Sequence, residues 1–172
     1  MSIRESLRSV AKRAINGTGQ THLQRGNAAP ELSIPDDRGK IVTIESLRGA
    51  PVVLYFYPKD ETPGCTRQAC SLRDEWPRIA ATGAHLYGLS LDGVDAHARF
   101  IANHKLPFPL LADSRGDVAT RYGVLRTIGP IKNVRRVSFV IDREGRIADI
   151  FDPVEPDEHT EKVLGALARM AP

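Results

Sequence analysis

Residues 52–57, Val-Val-Leu-Tyr-Phe-Tyr, form an unbroken run of apolar, β-forming residues that ends at Pro58. Such a run predicts a central strand covered on both faces, which requires strands beside it and helices above and below it. The chain of 172 residues is long enough to bury a core of that kind in one domain. Its spacing of apolar residues predicts further strands over 84–90, 109–112, 137–141 and 146–151, and helices over 64–76, 94–104, 115–122 and 156–170.

The alternation of strands and helices predicts an α/β fold built on one sheet. Residues 31–47 contain two short extended stretches around the turn Asp36-Asp37-Arg38-Gly39, which predicts a hairpin ahead of the central strand. The last two strands are joined by the turn Arg143-Glu144-Gly145, so the sheet is mixed rather than wholly parallel. This order suits a thioredoxin-like fold, a central mixed sheet flanked by helices, with an added N-terminal β-hairpin.

The first 26 residues differ from the rest of the chain. Residues 2–15 carry apolar side chains at helical spacing and predict a short amphipathic helix, which a polar segment over residues 16–26 follows. We therefore expect a leader over residues 1–26 and a folded domain over residues 27–172. The leader could serve as a helix packed on the domain, a targeting peptide or a dimerisation arm.

Charge and hydropathy exclude several functional classes. The chain has a formal charge of +3, of which residues 1–26 contribute +4, so the domain is almost neutral. A nucleic-acid-binding domain would carry a basic face, which this domain lacks. No apolar run approaches the ~20 residues of a membrane-spanning helix, and no apolar secretory segment opens the chain. We therefore expect a protein that binds neither nucleic acid nor membrane. The cytoplasm is the expected location, because a labile cysteine pair works where reductant is supplied.

The chain has only two cysteines, Cys65 and Cys70, which is too few for the disulfide framework of a secreted protein. Two thiols also cannot complete a zinc site, which takes four ligands, unless histidines lie near them. The five histidines are scattered along the sequence, and we expect all of them at the surface. The sequence therefore predicts neither a bound metal nor a cofactor.

Cys65 follows the central strand and lies in the first turn of the predicted helix. In open α/β sheets, ligands bind outside the carboxyl ends of the strands, which is where this turn lies. The unpaired backbone N–H groups and the dipole of a helix N-terminus favour negative charge. A thiol placed there loses its proton more easily, and the thiolate is the nucleophile. Pro63 suits a helix entry, and Thr62 brings a hydroxyl group beside the site.

The spacing of Cys70 from Cys65 limits what the two thiols can do together. Five residues of helix separate their Cα atoms by roughly 9 Å and place the side chains on different faces. A disulfide requires a Cα separation of about 4.4–6.8 Å. The two cysteines therefore either never form a bond or form one only when this turn unwinds.

The segment from Tyr55 to Cys70, Tyr-Phe-Tyr-Pro-Lys-Asp-Glu-Thr-Pro-Gly-Cys-Thr-Arg-Gln-Ala-Cys, resembles the active-site signature of the peroxiredoxins. It is most similar to that of the Q subgroup, also called bacterioferritin comigratory protein. The family motif Pro-x-x-x-Thr-x-x-Cys falls on Pro58, Thr62 and Cys65. The likeness runs from residue 27 to the last predicted helix.

The resemblance implies a thiol-dependent peroxidase for hydrogen peroxide and organic hydroperoxides. Cys65 would become a sulfenic acid, and Cys70, at the position of the family's resolving cysteine, would convert it to an intramolecular disulfide. Arg136 matches the family arginine that precedes a Ser-Phe strand and would stabilise the thiolate. Pro58 would shelter the thiolate. Three donors would stabilise the departing oxygen: the backbone N–H of Cys65, the Thr62 hydroxyl and the Arg136 guanidinium.

The resemblance also implies partners. Thioredoxin or a glutaredoxin would return the disulfide to thiols by exchange, and the protein would be a monomer or a weak dimer. Two alternatives use the same cysteine pair. One is a peroxide sensor. The other is a dithiol-disulfide oxidoreductase, although four residues rather than two separate the cysteines.

Other conspicuous residues have simpler interpretations. We expect one of the neighbours Arg135 and Arg136 to be surface charge only, and Asp60 and Glu61 to be solvated loop charges. Three aromatic side chains near the site are expected to pack in the core and to form the pocket wall: Tyr55, Phe56 and Tyr57. Trp76 is expected to be a packing residue near the end of the helix.

Overall fold

The computed structural model describes residues 20–171, so the predicted helix over residues 2–15 lies outside the described part of the chain. The strands are β1 (Ser33–Pro35), β2 (Ile41–Thr43), β3 (Val52–Phe56), β4 (His85–Ser90), β5 (Leu110–Ala112), β6 (Leu125–Ile128), β7 (Ile131–Val134), β8 (Val137–Ile141) and β9 (Ile147–Phe151). The helices are α1 (Pro63–Asp74), α2 (Trp76–Ala81), α3 (Val94–His104), α4 (Asp117–Arg121) and α5 (Pro156–Arg169). A 3-10 turn covers Glu45–Leu47.

The central sheet has five strands in the order β5-β4-β3-β8-β9. Strands β3, β4 and β5 run parallel, whereas β8 is antiparallel to β3, and β9 is antiparallel to β8. Every residue of β3 and of β8 is buried. The predicted mixed sheet with a fully covered central strand is therefore confirmed.

Helices and hairpins cover the two faces of this sheet. On one face, α1, α2, α3 and α5 contribute the buried side chains Leu72, Ile79, Phe100 and Val163 to a core that contains Tyr55 and Tyr57. On the other face, α4 and the hairpin of β1 and β2 pack around Phe56, Tyr122 and Phe139. The alternation of side chains along β3 divides its residues between these two cores.

The predicted N-terminal hairpin is confirmed, because β1 and β2 pair in antiparallel register with Ser33 opposite Thr43. Its turn is held by the Asp36 carboxylate, which accepts hydrogen bonds from the backbone N–H groups of Arg38 and Lys40. Gly39 has a φ of +81°, a conformation that favours glycine.

Two local predictions were incomplete. The helix predicted over residues 64–76 ends at Asp74, and a separate short helix, α2, starts at Trp76. Pro77 lacks the N–H that would continue the first helix, and proline is well tolerated near a helix start.

The sequence interpretation also missed the hairpin of β6 and β7, which turns at Gly129-Pro130 and brings Ile128 opposite Ile131.

The described residues before Asn27 are bound to the domain. The Arg25 guanidinium lies 2.6 Å from Asp149 Oδ1, and the Gly26 N–H donates to the carbonyl of Ile147 at 2.8 Å. The domain boundary near Asn27 remains a prediction. Within residues 20–171, no helix combines the length and the apolar character needed to cross a membrane.

Candidate active site

Cys65 lies in the first turn of α1, directly after the central strand. Thr62 is the N-cap residue in an extended conformation, and Pro63 is the first helical residue. The Thr66 N–H donates to the Thr62 carbonyl at 2.9 Å, so regular helical hydrogen bonding starts there. The Cys65 N–H is among the N–H groups that a helix leaves without an internal partner. Cys65 is 2% exposed.

Arg136 supplies a positive charge to this thiol. Its Nη2 lies 3.4 Å from Cys65 Sγ, and its Nη1 donates to Gln68 Oε1 at 2.5 Å. A Cβ atom at Gly64 would come within 3.2 Å of the same Nη2, so this glycine leaves the space that the guanidinium occupies. Two residues of α1 and the segment before β8 therefore fix the cation beside the sulfur.

Arg135 points away from the cysteine into a buried ion pair. Its Nη1 lies 2.5 Å from Asp152 Oδ1, and the two side chains are 9% and 5% exposed. Its Nη2 also donates to the Gly123 carbonyl at 3.2 Å. The expectation that one of the two arginines is only surface charge is wrong, because Arg135 is paired in the interior and Arg136 contacts Cys65.

Thr62 and Pro58 lie in the loop between β3 and α1. The Thr62 hydroxyl donates to the Lys59 carbonyl at 2.7 Å and makes no capping hydrogen bond to the helix. Pro58 is half-buried and follows directly on the buried Tyr57. The structure therefore brings both residues to the entrance of the helix that carries Cys65, while their proposed catalytic roles remain predictions.

Cys70 lies on the same helix as Cys65, and both thiols are free. Cys70 is half-buried. Because α1 is continuous from Pro63 to Asp74, the helical estimate of roughly 9 Å between the two Cα atoms applies. A bond between the two sulfurs requires the helix to unwind between them. The role of Cys70 as a resolving residue remains a prediction.

Asp60 is not the solvated loop charge that the sequence suggested. The residue is 7% exposed, and its carboxylate accepts a hydrogen bond from the Tyr57 hydroxyl at 2.6 Å. Its second oxygen lies 2.7 Å from His97 Nδ1. Glu61, in contrast, is exposed and contacts His104 Nε2 at 2.8 Å. The sequence carried no signal for the Asp60 contact, since its partner His97 is 37 residues away.

Two of the five histidines, His97 and His159, are fully buried, so the expectation that all lie at the surface is wrong. The Nε2 atom of His159 lies 2.7 Å from the hydroxyl oxygen of Ser138. Burial, with smaller effects of Arg136 and Lys162, lowers the pKa of His159 to about 3. The imidazole is therefore neutral at pH 7 and adds no second positive charge behind Arg136.

Gln68 is a residue of the site that the sequence interpretation did not single out. It is fully buried in α1, one turn after Cys65, and accepts from Arg136. Its spacing of three residues from Cys65 puts both on one side of the helix, which is the signal that was available. Within residues 20–171, no group of three or more His, Cys, Asp or Glu side chains is arranged to hold a metal ion.

The fold and the site belong to a defined class of proteins. A sequence model described as the AhpC/TSA family matches residues 25–150, which is more than half of the chain. The chain therefore belongs to the AhpC/TSA family.

Relatives of the chain identify the group within that family. A protein of Coxiella burnetii named peroxiredoxin bcp is 40% identical over 149 residues, which cover 84% of this chain and 99% of the relative. The chloroplastic peroxiredoxin Q of Populus jackii is 33% identical over 94% of this chain and 76% of its own length. The chain is accordingly a peroxiredoxin, an oxidoreductase with peroxidase activity, and is similar to the bcp and Q types.

Solved structures agree with this assignment. The peroxidoxin BcpB of Mycobacterium tuberculosis has a TM-score of 0.83 and 34% identity, and the match covers 88% of this chain and all of that one. Peroxiredoxin Q of Xanthomonas campestris has a TM-score of 0.79 and 28% identity, over 88% of this chain and 99% of that one. The predicted thioredoxin-like fold is therefore confirmed.

Proposed function

We propose that this peroxiredoxin reduces hydrogen peroxide and organic hydroperoxides with Cys65 as the attacking thiolate. The observation that carries the proposal is the 3.4 Å contact between Arg136 Nη2 and Cys65 Sγ in the first turn of α1. A cation and the N-terminus of a helix both favour the anionic form of a thiol. The only other cysteine, Cys70, lies farther along the helix, away from that terminus.

In the proposed first step, the Cys65 thiolate attacks the distal oxygen of the hydroperoxide, and the O–O bond breaks. The sulfur gains an oxygen atom and becomes a sulfenic acid, while the peroxide is reduced by two electrons. The departing oxygen takes up a proton and leaves as water or an alcohol. Hydrogen-bond donors aimed at that oxygen lower the barrier.

The candidate donors are the Cys65 N–H, the Arg136 guanidinium and the Thr62 hydroxyl. The Thr62 hydroxyl now donates to the Lys59 carbonyl, and rotation about its side-chain bond would free it to donate to the substrate. Pro58 lacks an N–H group and would shield the thiolate from bulk water. An alkyl peroxide reduction activity is ascribed to the similar Xanthomonas campestris protein, which supports organic hydroperoxides as substrates.

In the second step, the Cys70 thiol would attack the sulfenic sulfur of Cys65, and the S–O bond would break with release of water. This reaction requires the start of α1 to unwind, a local opening of modest cost. Two features support such an opening: Thr62 makes no side-chain cap to the helix, and Gly64 in its first turn weakens helix formation.

We further propose that thioredoxin or a glutaredoxin returns the disulfide to two thiols by exchange, with transfer of two electrons. A cycle of this kind needs a supply of reductant, which favours the cytoplasm as its location. We expect a monomer or a weak dimer, because the reacting groups all come from one chain.

A coupled assay tests the function directly. Peroxide-dependent NADPH oxidation, with thioredoxin and its reductase, is measured for the wild-type protein, Cys65→Ser and Cys70→Ser. The wild type should turn over many times, Cys65→Ser should be inactive, and Cys70→Ser should stall after one oxidation unless an external thiol is added. Full activity of Cys65→Ser would refute the choice of nucleophile. Efficient insulin reduction without peroxidase turnover would favour a dithiol oxidoreductase, and a single oxidation without turnover would favour a sensor.

A further inference from the structure

Asp60 is the centre of a buried polar cluster beside the active site. Its carboxylate binds the Tyr57 hydroxyl at 2.6 Å and His97 Nδ1 at 2.7 Å. Its backbone N–H donates to Asp92 Oδ2 at 2.9 Å. The second nitrogen of His97, Nε2, lies 3.0 Å from the Leu111 carbonyl. The side chains of Asp60 and His97 are 5% and 0% exposed, so water does not compete for these contacts.

The hydrogen-bond chemistry of the cluster fixes its protons. The Leu111 carbonyl can only accept, so His97 Nε2 carries a proton. Burial raises the pKa of Tyr57 well above its ordinary value, and its hydroxyl therefore remains a donor to Asp60. A hydrogen bond between His97 Nδ1 and Asp60 Oδ2 requires one proton between these two atoms. The bond forms whether the nitrogen or the oxygen carries that proton. No buried side-chain nitrogen or oxygen of Asp60, Tyr57 or His97 lacks a hydrogen-bond partner, as buried polar groups require.

The cluster anchors the active-site loop, residues 58–62, which connects β3 to α1. Glu61 in this loop has a φ of +64°, a conformation that residues other than glycine rarely adopt. Strained backbone of this kind persists only where the surrounding contacts hold it. Asp60 holds one side of the strained residue through His97 of α3. Asn103 and His104 of the same helix bind the Glu61 carboxylate at 2.9 and 2.8 Å.

The active-site loop carries two of the groups proposed to face the peroxide. Pro58 and Thr62 are two residues away from Asp60 on either side, whereas Cys65 and Arg136 are held by α1 and by the segment before β8. A change at Asp60 therefore reaches the loop without touching the contact between the sulfur and the guanidinium.

We propose that Asp60 and His97 are positioning residues that hold the active-site loop, with Pro58 and Thr62, in the geometry needed for the reaction of Cys65 with peroxide. The proposal rests on the proposed function of Cys65. Neither residue touches the sulfur, and the pair acts on the peroxide step rather than on formation of the thiolate. Displacement of a substrate-positioning group by about 1 Å can lower a rate by about a hundredfold.

The test compares two reactions of the same thiol in full-length protein that carries Cys70→Ser, so that Cys65 is the only cysteine. One is oxidation by hydrogen peroxide, which needs the positioned loop. The other is alkylation by iodoacetamide at the same pH, which needs only an accessible thiolate. Asp60→Ala should lower the peroxide rate constant by about tenfold or more without lowering the alkylation rate, because displacement of Pro58 would expose the sulfur rather than cover it.

Asp60→Asn is the conservative variant. Its amide oxygen can accept from Tyr57, and its amide nitrogen can donate to His97 Nδ1 while Nε2 keeps its proton. We expect its peroxide rate to stay within about threefold of that of the parent protein, which carries Cys70→Ser alone. A role in folding alone would lower the thermal stability of both Asp60 variants and leave the peroxide rate of the folded protein unchanged in both.

Two matched tyrosine variants decide the question if Asp60→Ala does not fold. Tyr57→Phe keeps the buried ring and removes only the hydroxyl that donates to Asp60. Tyr122→Phe removes an equivalent hydroxyl, which donates to the Pro30 carbonyl on the other face of the sheet. Tyr57→Phe should slow the peroxide reaction selectively, and Tyr122→Phe should leave both reactions unchanged.

Three results would overturn the inference. The first is an unchanged peroxide rate in both Asp60→Ala and Tyr57→Phe. The second is an equal fall of the peroxide and alkylation rates in these variants, and the third is an equal slowing of the peroxide reaction by Tyr122→Phe and Tyr57→Phe. Failure of the proposed function is recognised separately, since the parent with Cys65 intact would then not be oxidised by peroxide.

Discussion

Replacement of Arg136 by Met tests the electrostatic part of the mechanism. Met has a similar length and no charge, so the substitution removes the donor that lies 3.4 Å from Cys65 Sγ. It also leaves Gln68 Oε1 without its donor. The backbone around Cys65 is untouched, because α1 is held by its own hydrogen bonds.

The size of the effect follows from the kind of contact that is lost. A hydrogen bond to a charged group contributes about 1.5–3 kcal/mol. Each 1.36 kcal/mol changes a rate tenfold, so the peroxide rate constant should fall by about ten- to 150-fold. Alkylation of Cys65 by iodoacetamide should slow as well, because the guanidinium also favours the thiolate. This parallel loss distinguishes Arg136 from Asp60, whose replacement should slow the peroxide reaction without slowing alkylation.

The rate constant is measured by competition for hydrogen peroxide against a haem peroxidase of known rate. Arg143→Met is the matched control, since Arg143 donates to the Met170 carbonyl at 3.1 Å and is remote from Cys65 in the fold. It should react at the wild-type rate. A peroxide rate for Arg136→Met within about twofold of wild type would refute the reasoning, since it corresponds to less than about 0.5 kcal/mol.

Three further predictions concern the surroundings of the site. The folded pKa of His159 is about 3 and that of an unfolded histidine about 6.5, so its stabilising effect is complete above pH 6.5 and falls toward pH 3. Between pH 7 and pH 5, the free energy of unfolding measured in urea should therefore fall by about 2 kcal/mol more for the wild type than for His159→Gln, and equal decreases would contradict this. Gln68→Leu should slow peroxide reduction by about tenfold, because Arg136 loses its acceptor, and an unchanged rate would show that Arg136 needs no such support. Oxidation by one equivalent of peroxide should speed amide hydrogen exchange across residues 63–70, and unchanged protection would contradict unwinding of α1.

The main elements of the fold could be predicted because their signals are local. The apolar run of β3 and the apolar side of the closing helix reflect the burial of nearby residues, and the turn at Asp36–Gly39 reflects the local preferences of Asp and Gly. The missed hairpin of β6 and β7 had only a weak local signal, which is the Gly129-Pro130 turn between two short segments with apolar ends, Leu-Arg-Thr-Ile and Ile-Lys-Asn-Val. The apolar residues Ile128 and Ile131 at its tip are 63% and 65% exposed. The hairpin tip therefore lies outside the core, and a search for buried strands does not find it.

The parts of the site that could not be predicted depend on contacts between distant residues. Two adjacent arginines precede β8, and only the folded chain shows that Arg136 faces Cys65 and Arg135 faces Asp152. Asp60 has the composition of a surface loop residue, and its burial depends on His97 of another helix. Local sequence determines which secondary structure a residue favours. Whether a charged side chain can be buried depends on the partner that the fold supplies.

The central claim is that one thiol reacts with peroxide and the other captures the product within the same chain. Mass spectrometry after one equivalent of hydrogen peroxide, with dimedone as a trap for sulfenic acid, tests it most directly. We expect the wild type to lose two hydrogens and to yield a peptide in which Cys65 is joined to Cys70, and Cys70→Ser to carry the trapped sulfenic acid on Cys65. Initial oxidation at Cys70, or a disulfide formed only between two molecules, would contradict the account.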